Sequence, residues 1–185
     1  MRKKRFVPSL FAVLLIVLGA CGNTNTNQDH ATKGNDEDTH EMDHSNMEIP
    51  KGLKEAKNPT YKVGTKAIMN AHHMKGMNGA EATITGAYDT AVYAVSYTPT
   101  TGGKRVENHK WVVQEDIKDA GDKPFKPGAK VTLEANHMKG MKGASATIDS
   151  AEKTTVYMVD YKPTTGGKKV KNHMWLIESE LSPAD

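Results

Sequence analysis

Two groups of residues in this 185-residue chain carry side chains that could hold a metal ion. The first is compact: His40, Met42, His44 and Met47 lie within eight residues, interleaved with Glu41 and Asp43. The second is dispersed and occurs twice. His73, Met74 and Met77 sit in a His-Met-Lys-Gly-Met segment with His109 further on; His137, Met138, Met141 and His173 repeat the arrangement. Imidazole and thioether are the donors that soft Cu(I) prefers, and they survive outside the cell, where free thiols are unreliable. The neighbouring carboxylates would raise the local cation concentration. The dispersed pattern predicts two ordered sites, His73–Met77–His109 and His137–Met141–His173, with Met74 and Met138 as candidate fourth ligands. A second reading of the same residues stands beside it: methionine fills gaps in a thin β-core, and a buried histidine more often makes a hydrogen bond than binds a metal.

The elements that must position these residues follow from a duplication. The segment from His73 to Ile117 is repeated at an offset of 64 residues, His137 to Leu181, with 26 of 45 paired positions identical and no gap. Extending the offset backwards pairs Tyr61 with Phe125 and Gly64 with Gly128, so the units run over 58–121 and 122–185. Inside each unit the signals are for strands. Ala82-Thr-Ile-Thr, Ala146-Thr-Ile-Asp and Lys130-Val-Thr-Leu-Glu-Ala alternate apolar with polar residues. Val92-Tyr-Ala-Val-Ser-Tyr97 and Val156-Tyr-Met-Val-Asp-Tyr161 are β-branched and aromatic. Pro99-Thr-Thr-Gly-Gly and Pro163-Thr-Thr-Gly-Gly read as hairpin connections before strands through Trp111 and Trp175. The glycines around Met77 and Met141 predict irregular loops. About five short strands in some sixty residues predict a small barrel in each unit. Trp111, Trp175 and the four strand tyrosines are expected in the core, with Met158 and Met174 as packing residues.

The N-terminal residues read as an address. Arg2, Lys3, Lys4 and Arg5 precede an apolar run from Phe6 to Leu18, too short to span a bilayer comfortably. Leu18-Gly-Ala-Cys21 then looks like a lipoprotein lipobox, in which Cys21, the only cysteine, receives the lipid and residues before it are removed. This predicts a lipid-anchored protein on the extracytoplasmic face of the cell membrane, without disulfides. Losing the signal removes four basic residues and brings the chain near neutrality, so the calculated pI of about 8.8 is no argument for nucleic-acid binding. Residues 22–57 are expected to be a flexible tether, since Gly22 to Glu48 holds seven acids against Lys33 and almost no large apolar residue.

The His-Met-Lys-Gly-Met, Tyr-x-Val-x-Tyr, Pro-Thr-Thr-Gly-Gly and Asn-His-x-Trp motifs, doubled behind a lipobox and a His/Asp-rich tether, resemble YdhK-type lipoproteins of Gram-positive bacteria. The resemblance covers essentially the whole chain. It implies a mostly β architecture of two tandem SH3-like barrels. Because some relatives are associated with copper resistance, it also implies a copper role at the cell surface. The one local difference between the copies of the first motif is His72 against Asn136.

Catalysis has no sequence support: there is no Gly-x-Ser-x-Gly, phosphate loop, His-Glu-x-x-His or nucleophilic cysteine. The acids of the repeats do not pair conspicuously, with Glu81 facing Ser145 and Asp89 facing Lys153. The expected protein is therefore a binding lipoprotein that requires no cofactor, takes copper ions and does not turn over substrate. The alternative is a cell-envelope module whose scattered lysines meet wall polymer or a protein partner.

Overall fold

The computed structural model describes residues 48–184. The signal, Cys21 and the tether residues His40, Met42, His44 and Met47 lie outside the described residues. Eight strands form: β1 Lys54–Glu55, β2 Lys66–Met69, β3 Glu81–Tyr97, β4 Val106–Val113, β5 Lys130–Thr132, β6 Ser145–Tyr161, β7 Val170–Ile177 and β8 Leu181–Pro183. Two 3-10 turns, Gln114–Asp116 and Glu178–Glu180, follow β4 and β7. Among the described residues there is no α-helix. The mostly β architecture expected from the alternating segments is what forms.

The separate short strands expected at Ala82 and Val92 are one continuous strand of 17 residues, and β6 matches it. Gly86, which could have marked a turn, instead marks a register shift between Ile84 and Gly86 in the pairing with β6. A Cβ there would lie 2.7 Å from the Tyr88 ring, so only glycine lets that ring fold back over the strand.

The two long strands join the repeats. β3 and β6 run antiparallel from Ala82 opposite Tyr161 to Tyr97 opposite Ala146. Thr90 faces Thr154, and these are equivalent positions of the duplication, so a pseudo-two-fold axis passes between them. The sheet order is β5-β6-β3-β2-β8, with β1 and β4 also pairing β3, and β7 pairing β6. β2 of the first repeat pairs with β8 of the second. The strands make one open sheet spanning both repeats rather than a barrel closed within each. The reason is the length of β3 and β6: each continues past its own unit to pair with the other.

The cores follow the same exchange. One gathers Met69, Met77, Ile84 and neighbours from the first repeat with Tyr157, Val159, Tyr161 and Leu176 from the second. A second gathers Tyr93, Val95, Tyr97 and Val112 with Leu133, Met141 and Ile148. A third, on the opposite side of the long strands, holds Tyr88, Val92, Trp111, Val156, Met174 and Trp175. Each of the three clusters therefore takes side chains from both repeats.

Candidate metal centre

The two motifs that stand out in the sequence grip each other across the repeats. The Thr100 amide donates to the Gly140 carbonyl at 2.8 Å, and the Thr164 amide donates to the Gly76 carbonyl at 2.9 Å. Each Pro-Thr-Thr-Gly-Gly turn thus clamps the His-Met-Lys-Gly-Met loop of the other repeat. Gly140 has a φ of +76°, and a Cβ on it would lie 2.6 Å from Thr101 Oγ1 and 3.0 Å from Pro99 Cβ. Glycine is required there both for the backbone conformation and for the close approach.

His109 is aimed by a break in the β3–β4 ladder. Val95 lies opposite His109, with register shifts on both sides. Asn108 sits at φ +50°, a left-handed conformation that asparagine tolerates better than most residues. Its amide donates to Ser96 Oγ at 3.1 Å. The second repeat copies this device: Asn172 has φ +51°, its amide donates to Asp160 Oδ1 at 2.9 Å, and Val159 faces His173.

So placed, His109 stacks edge-on against Tyr97 at 6.1 Å and lies beside His137, the ring centres 6.0 Å apart. His109 Nε2 and His137 Nδ1 are buried and make no hydrogen bond. Burial, and secondarily the neighbouring imidazoles His137 and His73, hold His109 far below the usual histidine range, at about 3. At neutral pH it is an uncharged imidazole, the form that ligates metals. Met138 packs against the same core, and its Sδ accepts the Tyr97 hydroxyl at 3.7 Å.

The expected ligand sets are thereby redistributed. His109 meets His137 of the other repeat, whereas Met77, fully buried, packs in the core with Tyr157 and Tyr161. Met141 is fully buried in the second core, and Met74 packs against the first. His173 is buried and stacks edge-on against Tyr161 at 5.9 Å. Among the described residues no group of three or more His, Cys, Asp or Glu side chains converges as a metal site. What the geometry does bring together is His109 against His137 with His73 as a further neighbour, and the Met138 thioether hydrogen-bonded to the Tyr97 that packs on His109.

His73 has a different partner, one that sequence reasoning missed. Its Nε2 is 2.7 Å from Glu180 Oε1, and the Trp111 indole donates to Glu180 Oε2 at 2.9 Å. The Ile177 amide donates to the same oxygen at 3.2 Å. Burial pushes the Glu180 carboxyl up, but the hydrogen bond and charge of His73, with the Trp111 indole and the Ile177 amide, outweigh it and hold the group below the usual carboxylate range. The counterpart of Glu180 at the 64-residue offset is Asp116, whose Oδ2 lies 3.5 Å from His137 Nε2. An acid at both positions was the available signal: this pair was legible beside the unpaired Glu81 and Asp89.

The family whose sequence profile matches the chain is described as "Protein of unknown function (DUF1541)", over residues 63–114 and 127–178. The chain belongs to this family. The two DUF1541 matches coincide with the two copies of the duplication. A similar protein is "Uncharacterized protein YdhK" of Bacillus subtilis (strain 168), 64% identical over 176 residues that span 94% of this chain and 86% of the relative. The crystal structure of the DUF1541 family protein ydhK from the same organism is similar at a TM-score of 0.74 and 68% identity, covering 76% of this chain and 95% of that one. A solution structure of the ydhK C-terminal domain matches with a TM-score of 0.63 and 72% identity, over 65% and 92% of the two chains.

Proposed function

We propose that this protein is a lipid-anchored, extracytoplasmic, non-catalytic copper-binding protein. In this reading Cys21 carries the anchor, His40, Met42, His44 and Met47 collect the ion, and His109 with His137 holds it in the folded body. The observation that supports the body site is the pair of imidazoles brought from different repeats, each with a buried ring nitrogen that makes no hydrogen bond. With a metal–nitrogen bond of roughly 2 Å and about 1.1 Å from nitrogen to ring centre, two rings ligating one ion in line stand about 6 Å apart. The observed separation is 6.0 Å. Cu(I) suits this donor set because it accepts low coordination numbers and imidazole ligands.

The test is a Cu(I) titration of the mature chain under a competing chelator. It is run in parallel on a variant with a scrambled tether and on a His109→Gln/His137→Gln variant. Tight binding that survives scrambling but is lost in the double variant supports the body site. Binding by the parent no tighter than by a protein lacking both elements rejects the copper reading.

A further inference from the structure

The pseudo-two-fold relation makes the two halves comparable atom by atom, and they are not chemically equal. Around Glu180 three donors converge on one carboxylate: the imidazole of His73, the indole of Trp111 and the amide of Ile177. Asp116 occupies the equivalent place with a side chain one methylene shorter. It stands 3.5 Å from His137 Nε2, and among the described residues its carboxylate accepts no hydrogen bond within the geometry seen at Glu180. The indole nitrogen of Trp175, the counterpart of Trp111, is buried and makes no hydrogen bond. One half of the molecule satisfies its carboxylate and indole, and the other leaves both short of partners.

A cleft lies beside the unsatisfied half, where the His137 side chain is as enclosed as that of His73, at 6% against 10% exposed. A cleft of about 470 Å³ is lined by Glu48, Glu115, Asp116, Glu134, His137 and Met174. Lys51 and Lys142 line it as well, which leaves four carboxylates against two ammonium groups. His137 is 8% exposed, and its buried Nδ1 makes no hydrogen bond; His73 Nδ1 is in the same state, so the two halves differ in the carboxylate, the indole and the cleft. An acidic cleft lined in part by a buried imidazole concentrates cations by its field next to that ring.

Resting on the copper reading above, we infer that the Asp116–His137 half alone accepts the ion, through this acidic cleft, while the Glu180–His73 half is a structural brace. The short aspartate is what keeps the first half open: a glutamate there would reach His137 and the Trp175 indole as Glu180 reaches their counterparts.

The test uses the mature chain with His40, Met42, His44 and Met47 replaced by serine, so that the body is read apart from the tether. Cu(I), with Ag(I) as a redox-inert probe, is titrated while histidine ring nitrogens are followed by NMR. The expected result is one equivalent bound, with His137 and His109 shifting and His73 unmoved. Asp116→Glu is expected to lower affinity at least tenfold and to raise the melting temperature. Glu134→Gln, an exposed substitution that leaves the fold intact, is expected to slow uptake several-fold in stopped flow. His73 shifting together with His137, or Asp116→Glu binding as tightly as the parent, overturns the assignment and leaves the copper reading standing. An unchanged uptake rate in Glu134→Gln overturns the cleft as port. A body that binds nothing while the unsubstituted chain binds copper also overturns the assignment, whereas no binding by either chain overturns the copper reading itself.

Discussion

Replacing Glu180 by alanine tests the brace directly. The pair it makes with His73 is nearly enclosed, the two side chains being 13% and 10% exposed. The small value of an exposed ion pair, about 0–1 kcal/mol, therefore does not apply. Alanine removes the acceptor for the His73 imidazole, the Trp111 indole and the Ile177 amide together. Leaving a buried donor without its acceptor costs about 1–3 kcal/mol, and three such donors lose theirs together, so the sum is about 3–5 kcal/mol. For a body of this size that is about 10 °C or more in melting temperature. Glu180→Gln retains one carbonyl that the indole and amide can still use, so its cost should fall near the 1.5–3 kcal/mol of a single charge-assisted bond. The sign with pH follows from the depressed carboxyl. The unfolded chain takes up a proton more readily than the native one, so the contribution is full above the ordinary carboxylate value of 4.5 and is lost as pH falls through the lower native value. Urea unfolding of parent, Glu180→Ala, Glu180→Gln and Asp116→Ala between pH 7 and pH 3 is the assay. The stability gap between parent and Glu180→Ala should shrink at acid pH, and Asp116→Ala should cost under about 1 kcal/mol at pH 7 because its carboxylate makes so little. If Glu180→Ala stays within 1 kcal/mol of the parent at pH 7, or Asp116→Ala costs as much, the argument from the two carboxylates fails.

Met77 and Met141 should behave as core residues: alanine at either is expected to cost about 2–5 kcal/mol by chemical denaturation, leucine under about 1.5 kcal/mol. Copper affinity of the leucine variants, measured by chelator competition, should match the parent. Gly140→Ala should destabilise by about 1–3 kcal/mol, since φ is +76° and the added methyl meets Thr101 and Pro99. Gly128→Ala has a similar φ of +88° but open space around it, so thermal unfolding should show a smaller loss. Tyr97→Phe removes only a weak bond to the Met138 thioether at 3.7 Å and should change stability by less than about 1 kcal/mol.

The strands, the buried tyrosines and the tryptophan anchors were legible because alternation and β-branching act locally. Val92 to Tyr97 reads as a strand whatever its partner is. The partner was not legible. Nothing in Thr90 or Thr154 announces that these residues face each other, because pairing between equivalent positions of a duplication leaves no local pattern. That one unseen fact redirected the site. His109 was expected to meet His73 and Met77 within its own copy; exchange of the long strands sets it against His137 with His73 as a further neighbouring imidazole, while Met77 goes to the core. The methionines were misleading for a chemical reason: the property that makes a thioether a soft ligand, a polarizable apolar group, also suits it to a core. The Glu180 brace was hidden because its three donors come from three separate stretches of chain, and only the offset to Asp116 hinted at it.

The exchange of halves across Thr90 and Thr154 also bears on how such a chain could arise. A single unit of this sequence has no complete core of its own, since each cluster needs side chains from the other copy. Expressed alone, it would have to associate with an identical molecule, and by symmetry both carboxylates in that homodimer would be the same residue. Joining the two subunits in one polypeptide removes that constraint. One copy can keep the longer acid that secures the architecture while the other keeps the shorter one, an asymmetry no homodimer of identical chains can encode.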